Sequence, residues 1–489
     1  MKNLKQILDG VKINKIINED SAKEIQGIAF DSRKVEEGYV FVAEKGELAD
    51  GHNYICSAVQ SGAKVIVLDN ASYMPESNDN TSVTYILTDD SSLALSQIAC
   101  NFYDRPTEKL KLVGITGTNG KTTTVTLLYE LFTALGYKCG KISTVENIVA
   151  GKVLPTQRTT PDSITLNRLF SDMVQQGCTY AFMEVSSHAI VQNRIGGLHF
   201  AGGIFSNITL DHLDYHKTFL AYIQAKKAFF DGLGKEAFAL VNADDKNGLV
   251  MVQNTKAKVY TYGLSGAGYD YRTKIIESSF EGSDLLIDGK EVFVPMVGRF
   301  NAYNILAVYA TAMLLGADKQ QVLTDISLLK AAKGRFEIYK LKSGAYAVID
   351  YAHTPDAVEN VLKTINDCKT QVSQKIYTVI GCGGDRDKSK RPLMAKISQQ
   401  LSDVLILTSD NPRSEKPEDI IKDMQQGLAG TSDTKTFAAA DRAEAIKIAC
   451  TMAEKDDIVL VAGKGHENYQ EICGEKHHFD DKEEVLIYM

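Results

Sequence analysis

Residues 114–124 read GITGTNGKTTT, a lysine and three threonines set directly behind glycines at 114, 117 and 120. An apolar run at 110–115 precedes them, and Val125, Leu128, Phe132 and Leu135 follow at helical spacing, so the glycines occupy a strand-to-helix turn. At such a turn, backbone N–H groups and a helix N-terminus converge on an anion. Gly117, Thr118, Asn119 and Gly120 would cradle nucleotide phosphates and Lys121 would supply a point charge. The hydroxyl of Thr122 or Thr123 is placed to reach a magnesium ion. Ile115 stands where the usual P-loop has its first glycine, so this is a variant of that loop.

Three more residues bear on the same chemistry. Glu184 ends the apolar run 180–185 and leads into EVSSH at 184–188; a buried strand seldom ends in a carboxylate without a partner, and phosphate-bound magnesium is a suitable one. A carboxylate capping a neighbouring helix is the plainer alternative. His212, in DHLDYH at 211–216 after the run 203–208, is a second candidate ligand. Lys226 shares a helix face with Phe219, Tyr222, Ile223, Phe229 and Phe230, in a helix expected to begin near Thr218. It either snorkels outward or is buried for a purpose. Burial lowers the pKa of an amine, and a neutral amine reacts with carbon dioxide to give an anionic carbamate.

These residues need strands to carry them. At 489 residues the chain exceeds one ordinary core, and three blocks are expected: 1–108, 109–333 and 334–489. The first holds short apolar runs at 38–42 and 63–68, and in the second strands alternate with helices, which implies a mainly parallel sheet. In the third, four apolar runs each end in a polar cluster: DYAHTP at 350–355, GCGGDRD at 381–387, DNPR at 410–413 and GKGHE at 463–467. Carboxyl ends of parallel strands form the ligand crevice, so the four clusters should line one face of a Rossmann-like domain. The fold class is α/β with three domains: a small N-terminal α/β domain, a central P-loop-type ATPase domain and the Rossmann-like domain.

A net charge of −8 argues against a nucleic-acid surface, and no apolar run approaches a membrane span or a signal peptide. The expectation is a cytoplasmic protein with small-molecule partners, no membrane or nucleic-acid partner, and a monomeric state. Eight scattered cysteines without Cys-x-x-Cys or zinc spacing read as reduced packing residues.

Taken in order, DSR at 31–33, DGH at 50–52, the Gly-rich loop, EVSSH, DHLDYH, Ala225-Lys226, GRFNAYN at 298–304 and the four C-terminal clusters resemble the Mur ligase family over essentially the whole chain. The resemblance implies a ligase of peptidoglycan precursor synthesis that joins an amine to a carboxylate through an acyl phosphate, with ATP and magnesium. It implies UDP in the first domain, ATP in the second and the incoming amino acid in the third. By motif, Ser32 and Arg33 would contact UDP, and Thr159, Thr160, Ser186, Gln192 and Arg194 the muramoyl peptide. Glu184 and His212 would bind magnesium, Asn301 and His353 the adenosine, and Arg335 would lie near the phosphates. Lys226 matches the lysine that this family carbamylates.

The cluster at 410–413 bears on the amino acid. Members that add meso-diaminopimelate carry arginine at its last position, and the planar fork of Arg413 suits that substrate's second carboxylate. Lysine would leave the arginine unpaired in a partly dry pocket. Arg386, Asp410, Asn411, Gly463 and Glu467 match the other amino-acid positions, Glu467 being suited to the distal ammonium. The reading is addition of meso-2,6-diaminopimelate to UDP-N-acetylmuramoyl-L-alanyl-D-glutamate. Its alternatives are a lysine-adding relative or, against the presence of an N-terminal domain, a folylpolyglutamate synthetase.

Overall fold

Runs of unbroken aliphatic residues set the architecture, because strands buried on both faces need no polar alternation. The computed structural model describes residues 2–46, 49–76, 82–430 and 432–489. In the N-terminal part, the fully buried strand Val65–Leu68 lies between Thr84–Thr88 and Tyr39–Val42 in a five-stranded sheet closed by Ile13–Ile17 and Gly27–Ala29. Only the pairing of Ile13–Ile17 with Thr84–Thr88 is antiparallel.

The central sheet has eleven strands, parallel through its middle and antiparallel at both edges. Lys111–Thr116 is held between Tyr180–Glu184 and Gly202–Phe205, in register Glu184 with Ile115 and Phe205 with Thr116. The carboxyl ends of these three strands therefore deliver the Gly-rich loop, the 184–188 segment and Ser206-Asn207 to one place. Helix Lys121–Ala134 starts from Gly120 and packs against Arg299–Leu314 in the largest core cluster. Glycine is required in the loop: a Cβ on Gly117 would lie 1.9 Å from Ser206 Oγ, and one on Gly120 would lie 2.6 Å from Asn304 Oδ1.

The C-terminal sheet has six strands, with Ile458–Ala462 between Tyr346–Asp350 and Ile376–Cys382, then Val404–Ser409 and Lys435–Ala439, all parallel; Glu337–Lys340 is its antiparallel edge. The four polar clusters all follow carboxyl ends of parallel strands, as their spacing predicts. The mainly parallel central sheet and the Rossmann-like last sheet are likewise as expected. Six of the eight cysteines are buried in packing positions, whereas Cys56 and Cys473 are exposed, which corrects the reading of all eight as packing residues. Among the described residues no helix is long and apolar enough to cross a membrane.

Candidate active site

The Gly-rich loop closes on its own lysine. Lys121 Nζ donates to the carbonyls of Gly117 and Thr118 at 2.9 and 2.8 Å, and the loop is pinned from below by Asn119 N to Asn207 Oδ1 at 2.9 Å and Thr118 N to the Asn207 carbonyl at 2.8 Å. Asn119 Nδ2 donates to Asp356 Oδ2 at 3.0 Å, so the C-terminal domain also touches the loop.

Glu184 is 1% exposed, and its partners explain how a strand end keeps a carboxylate. Thr122 Oγ1 donates to Oε1 at 2.8 Å, Thr144 N to Oε1 at 2.8 Å and Thr144 Oγ1 to Oε2 at 3.2 Å. Thr144, two residues past the strand Cys139–Ile142, carried no signal in the sequence. His212 adopts a left-handed backbone at φ 54°. Its imidazole, 5.0 Å from the His188 ring, is held below the usual range first by desolvation in the cleft, a shift that Asp211 opposes. Among the described residues no three His, Cys, Asp or Glu groups form a ready-made metal cage. One buried carboxylate, a neutral imidazole and threonine hydroxyls nevertheless fit magnesium, which keeps most of its shell for phosphates and water.

Lys226 does not snorkel. Helix Phe219–Asp231, capped by Thr218 Oγ1 accepting from Ala221 N at 3.1 Å, buries Tyr222, Ala225, Lys226, Phe229 and Phe230 at i, i+3, i+4, i+7 and i+8. Lys226 is 1% exposed and donates to the Gly117 carbonyl at 2.8 Å, its Nζ lying 4.6 Å from the Tyr222 ring centre. Burial first, then Lys121, pushes its amine well below the ordinary lysine value.

A cleft of about 1550 Å³ opens over these groups. Thr118, Asn119, Gly120, Lys121, Thr122 and Thr123 line it, together with Glu184, His212 and Lys226. Ser32 and Arg33 of the N-terminal part and Thr159, Thr160, Ser186, Gln192 and Arg194 of the central part also line it. Those two parts meet where helices Ser91–Phe102 and Ser163–Gln175 cross, with Ser96 Oγ 2.6 Å from Ser163 Oγ. Arg194 Nη1 donates to the Thr160 carbonyl at 2.9 Å and Nη2 to Gln192 Oε1. Arg335 and His353 complete the cleft from the C-terminal side. Burial pushes the His353 imidazole down to about 4, leaving it neutral, and Tyr351 O holds its Nδ1 at 2.8 Å. Asn301 lies outside the lining: its Nδ2 donates to the Val297 carbonyl at 2.9 Å, behind the loop.

The six residues matched to the amino acid form a second cluster at the carboxyl ends of the C-terminal strands. Asp410 and Asn411 are buried, and Asn411 Nδ2 donates to Glu467 Oε2 at 2.7 Å. Gly463 is left-handed at φ 116°, where a Cβ would lie 3.0 Å from Asp410 Oδ2. Arg413, left-handed at φ 52°, sends Nη1 to the Gly384 carbonyl at 2.7 Å and Nε to Glu471 Oε2 at 3.4 Å. The arginine therefore already has an anion in the resting chain, contrary to the expectation that it stands unpaired without a second carboxylate. Arg386 is exposed on the adjoining loop. Lys464, which the motif contained without a role, is fully buried between Asp410 and Glu467 at 3.8 and 3.6 Å.

Known proteins match this arrangement along its length. Family profiles described as Mur ligase family, catalytic domain, Mur ligase middle domain, and Mur ligase, glutamate ligase domain match residues 24–103, 115–312 and 334–465. A protein of Cytophaga hutchinsonii named UDP-N-acetylmuramoyl-L-alanyl-D-glutamate--2,6-diaminopimelate ligase is 55% identical over 94% of this chain and 93% of its own. One of Phocaeicola vulgatus with the same name is 54% identical over 98% of both. A solved structure so named superposes with a TM-score of 0.69 at 32% identity, covering 100% of this chain and 98% of that one.

Proposed function

The chain belongs to the Mur ligase family, and from that membership we propose that it is the ATP-dependent ligase adding meso-2,6-diaminopimelate to UDP-N-acetylmuramoyl-L-alanyl-D-glutamate, releasing ADP and phosphate. The observation that carries this reading is one cleft of about 1550 Å³ lined by residues of all three parts of the chain. It exceeds the volume a single drug-sized ligand needs, and its lining joins the Gly-rich loop, suited to a nucleotide, to residues of the N-terminal and central parts suited to a UDP-sugar peptide. The relatives' names favour neither lysine addition nor folate extension. Residues 1–108, 109–333 and 334–489 are assigned to UDP, ATP and amino acid respectively, a division supported by separate main sheets of five, eleven and six strands.

A carboxylate is a poor electrophile, so its oxygen attacks the γ-phosphorus of ATP and ADP leaves. The amine then attacks the acyl carbon and phosphate departs. Lys121, freed from its two carbonyls, would meet the phosphates, joined by Arg335. Mur ligases use ATP and magnesium. Thr122 or Thr123, Glu184 and His212 would hold the magnesium, which supplies positive charge for the transferring phosphoryl group. Ser32, Arg33, Thr159, Thr160, Ser186, Gln192 and Arg194 would orient the UDP-peptide. Arg386, Asp410, Asn411, Arg413, Gly463 and Glu467 would orient the diamino acid. Lys226 would act as its carbamate, formed when the neutral amine adds to carbon dioxide and releases a proton; the remaining N–H still suits the Gly117 carbonyl. Small-molecule substrates are thus the partners, and the oligomeric state is proposed to be monomeric, in the cytoplasm. Phosphate release from ATP, given the UDP-dipeptide with meso-diaminopimelate or L-lysine, tests the reading. Release that requires diaminopimelate is expected; release with lysine alone overturns the pocket assignment.

A further inference from the structure

The Gly-rich loop and the amino-acid cluster stand on different sheets, yet a chain of contacts joins them through one tyrosine. Arg335 Nη2 donates to Thr122 Oγ1 at 3.1 Å, on the first turn of the helix behind the loop. The same guanidinium lies 4.4 Å from the centre of the Tyr351 ring. From the far end of that ring the hydroxyl donates to Glu467 Oε1 at 3.4 Å, while Asn411 holds Oε2. His353 and His466, with ring centres 4.6 and 5.1 Å from that of Tyr351, hold the ring in place.

We infer that Tyr351 is a positioning residue coupling occupation of the ATP loop to the geometry of Glu467. The inference rests on the proposed ligase reading, in which Glu467 receives the distal ammonium of the diamino acid. Two features make the link responsive. Arg335 Nε is buried without a hydrogen-bond partner among the described residues, so this guanidinium holds a donor in reserve. A phosphate that draws Arg335 toward it shifts the cation over the tyrosine face. The hydroxyl contact at 3.4 Å stands at the long limit of a hydrogen bond, where a few tenths of an ångström make or break it. A shift too small to disturb packing would therefore change how firmly Glu467 is held.

The test compares Tyr351→Phe with Tyr351→Leu in the full-length protein. Phenylalanine keeps the ring under Arg335 and loses only the hydroxyl. KM for ATP should stay within about twofold while KM for diaminopimelate rises about fivefold, the loss of one modest hydrogen bond. Leucine removes both contacts and should raise both KM values. If the Phe variant raises both equally, or only lowers kcat, Tyr351 is a packing residue and the inference fails. Absence of amino-acid-dependent phosphate release in the unsubstituted protein would instead refute the ligase reading. The link is then read from ATP affinity by calorimetry with magnesium and no amino acid: weakening by Leu but not Phe supports it, and no weakening by Leu overturns it.

Discussion

Lys121 and Lys226 donate to the same oxygen, the Gly117 carbonyl, at 2.9 and 2.8 Å. Two cations sharing one neutral acceptor would repel each other, and neither lysine is paired with a carboxylate at contact distance among the described residues. Desolvation lowers both amines, Lys226 the further, with Lys121 adding to its shift. Burial therefore favours the neutral form of Lys226, and a neutral amine is the form that takes up carbon dioxide.

Isotopically labelled bicarbonate should therefore give a carbamate signal in the native protein that is absent from Lys226→Ala. That variant should lose activity by about a hundredfold or more, as when a preorganised charge is removed beside a reacting phosphoryl group, and bicarbonate should not restore it. Near-native turnover by Lys226→Ala would sink the carbamate role.

Arg413→Lys replaces a planar fork with a point charge. KM for diaminopimelate should rise about tenfold to a hundredfold, the worth of a charged hydrogen bond, with KM for ATP little changed. Glu471→Gln should act in the opposite direction, because Glu471 is the anion that a substrate carboxylate must displace from Nε. Steady-state kinetics on both variants checks the pair; a higher diaminopimelate KM in Glu471→Gln would contradict it.

The sequence was most legible where chemistry and secondary structure coincide. The Gly-rich loop had to sit between a strand and a helix, and the four C-terminal clusters had to share a sheet edge, because apolar runs and turn residues alternate there. The face of Lys226 was readable from helical spacing, but its burial was not, since a lysine on an apolar face satisfies the same pattern when it snorkels. Thr144 and Glu471 were invisible for a different reason. Each reaches its partner across the fold, Thr144 to Glu184 and Glu471 to Arg413, and no local pattern marks a long-range hydrogen bond.

Glu184 accepts from three donors on Thr122 and Thr144, which fix its carboxylate beside the first turn of the helix behind the loop. Glu184→Gln should lower kcat about a hundredfold or more and move the magnesium optimum to higher concentration, since an amide nitrogen would face the Thr122 or Thr144 donor and the ion would lose its carboxylate. A magnesium titration of both proteins measures this. An unchanged titration curve would remove Glu184 from the metal site.

Acid should destabilise the fold through His216. The residue is 8% exposed, Nε2 lies 2.9 Å from Ser187 Oγ, and the ring centre is 5.0 Å from that of Tyr222. Burial, the largest cause, pushes the imidazole from its ordinary value of 6.5 down to about 4. The native state favours the neutral ring, so this contribution is fully present above pH 6.5 and is lost as pH falls through about 4. His216→Gln removes the titration while keeping a group able to meet Ser187. It should cost about 1 kcal/mol at pH 8, as a typical buried substitution does, and show a shallower loss of Tm between pH 6.5 and 4. His353 and His466, pushed to about 4 and about 3, keep part of the slope in the variant. Parallel Tm curves for the two proteins would show that His216 does not carry the acid sensitivity assigned to it.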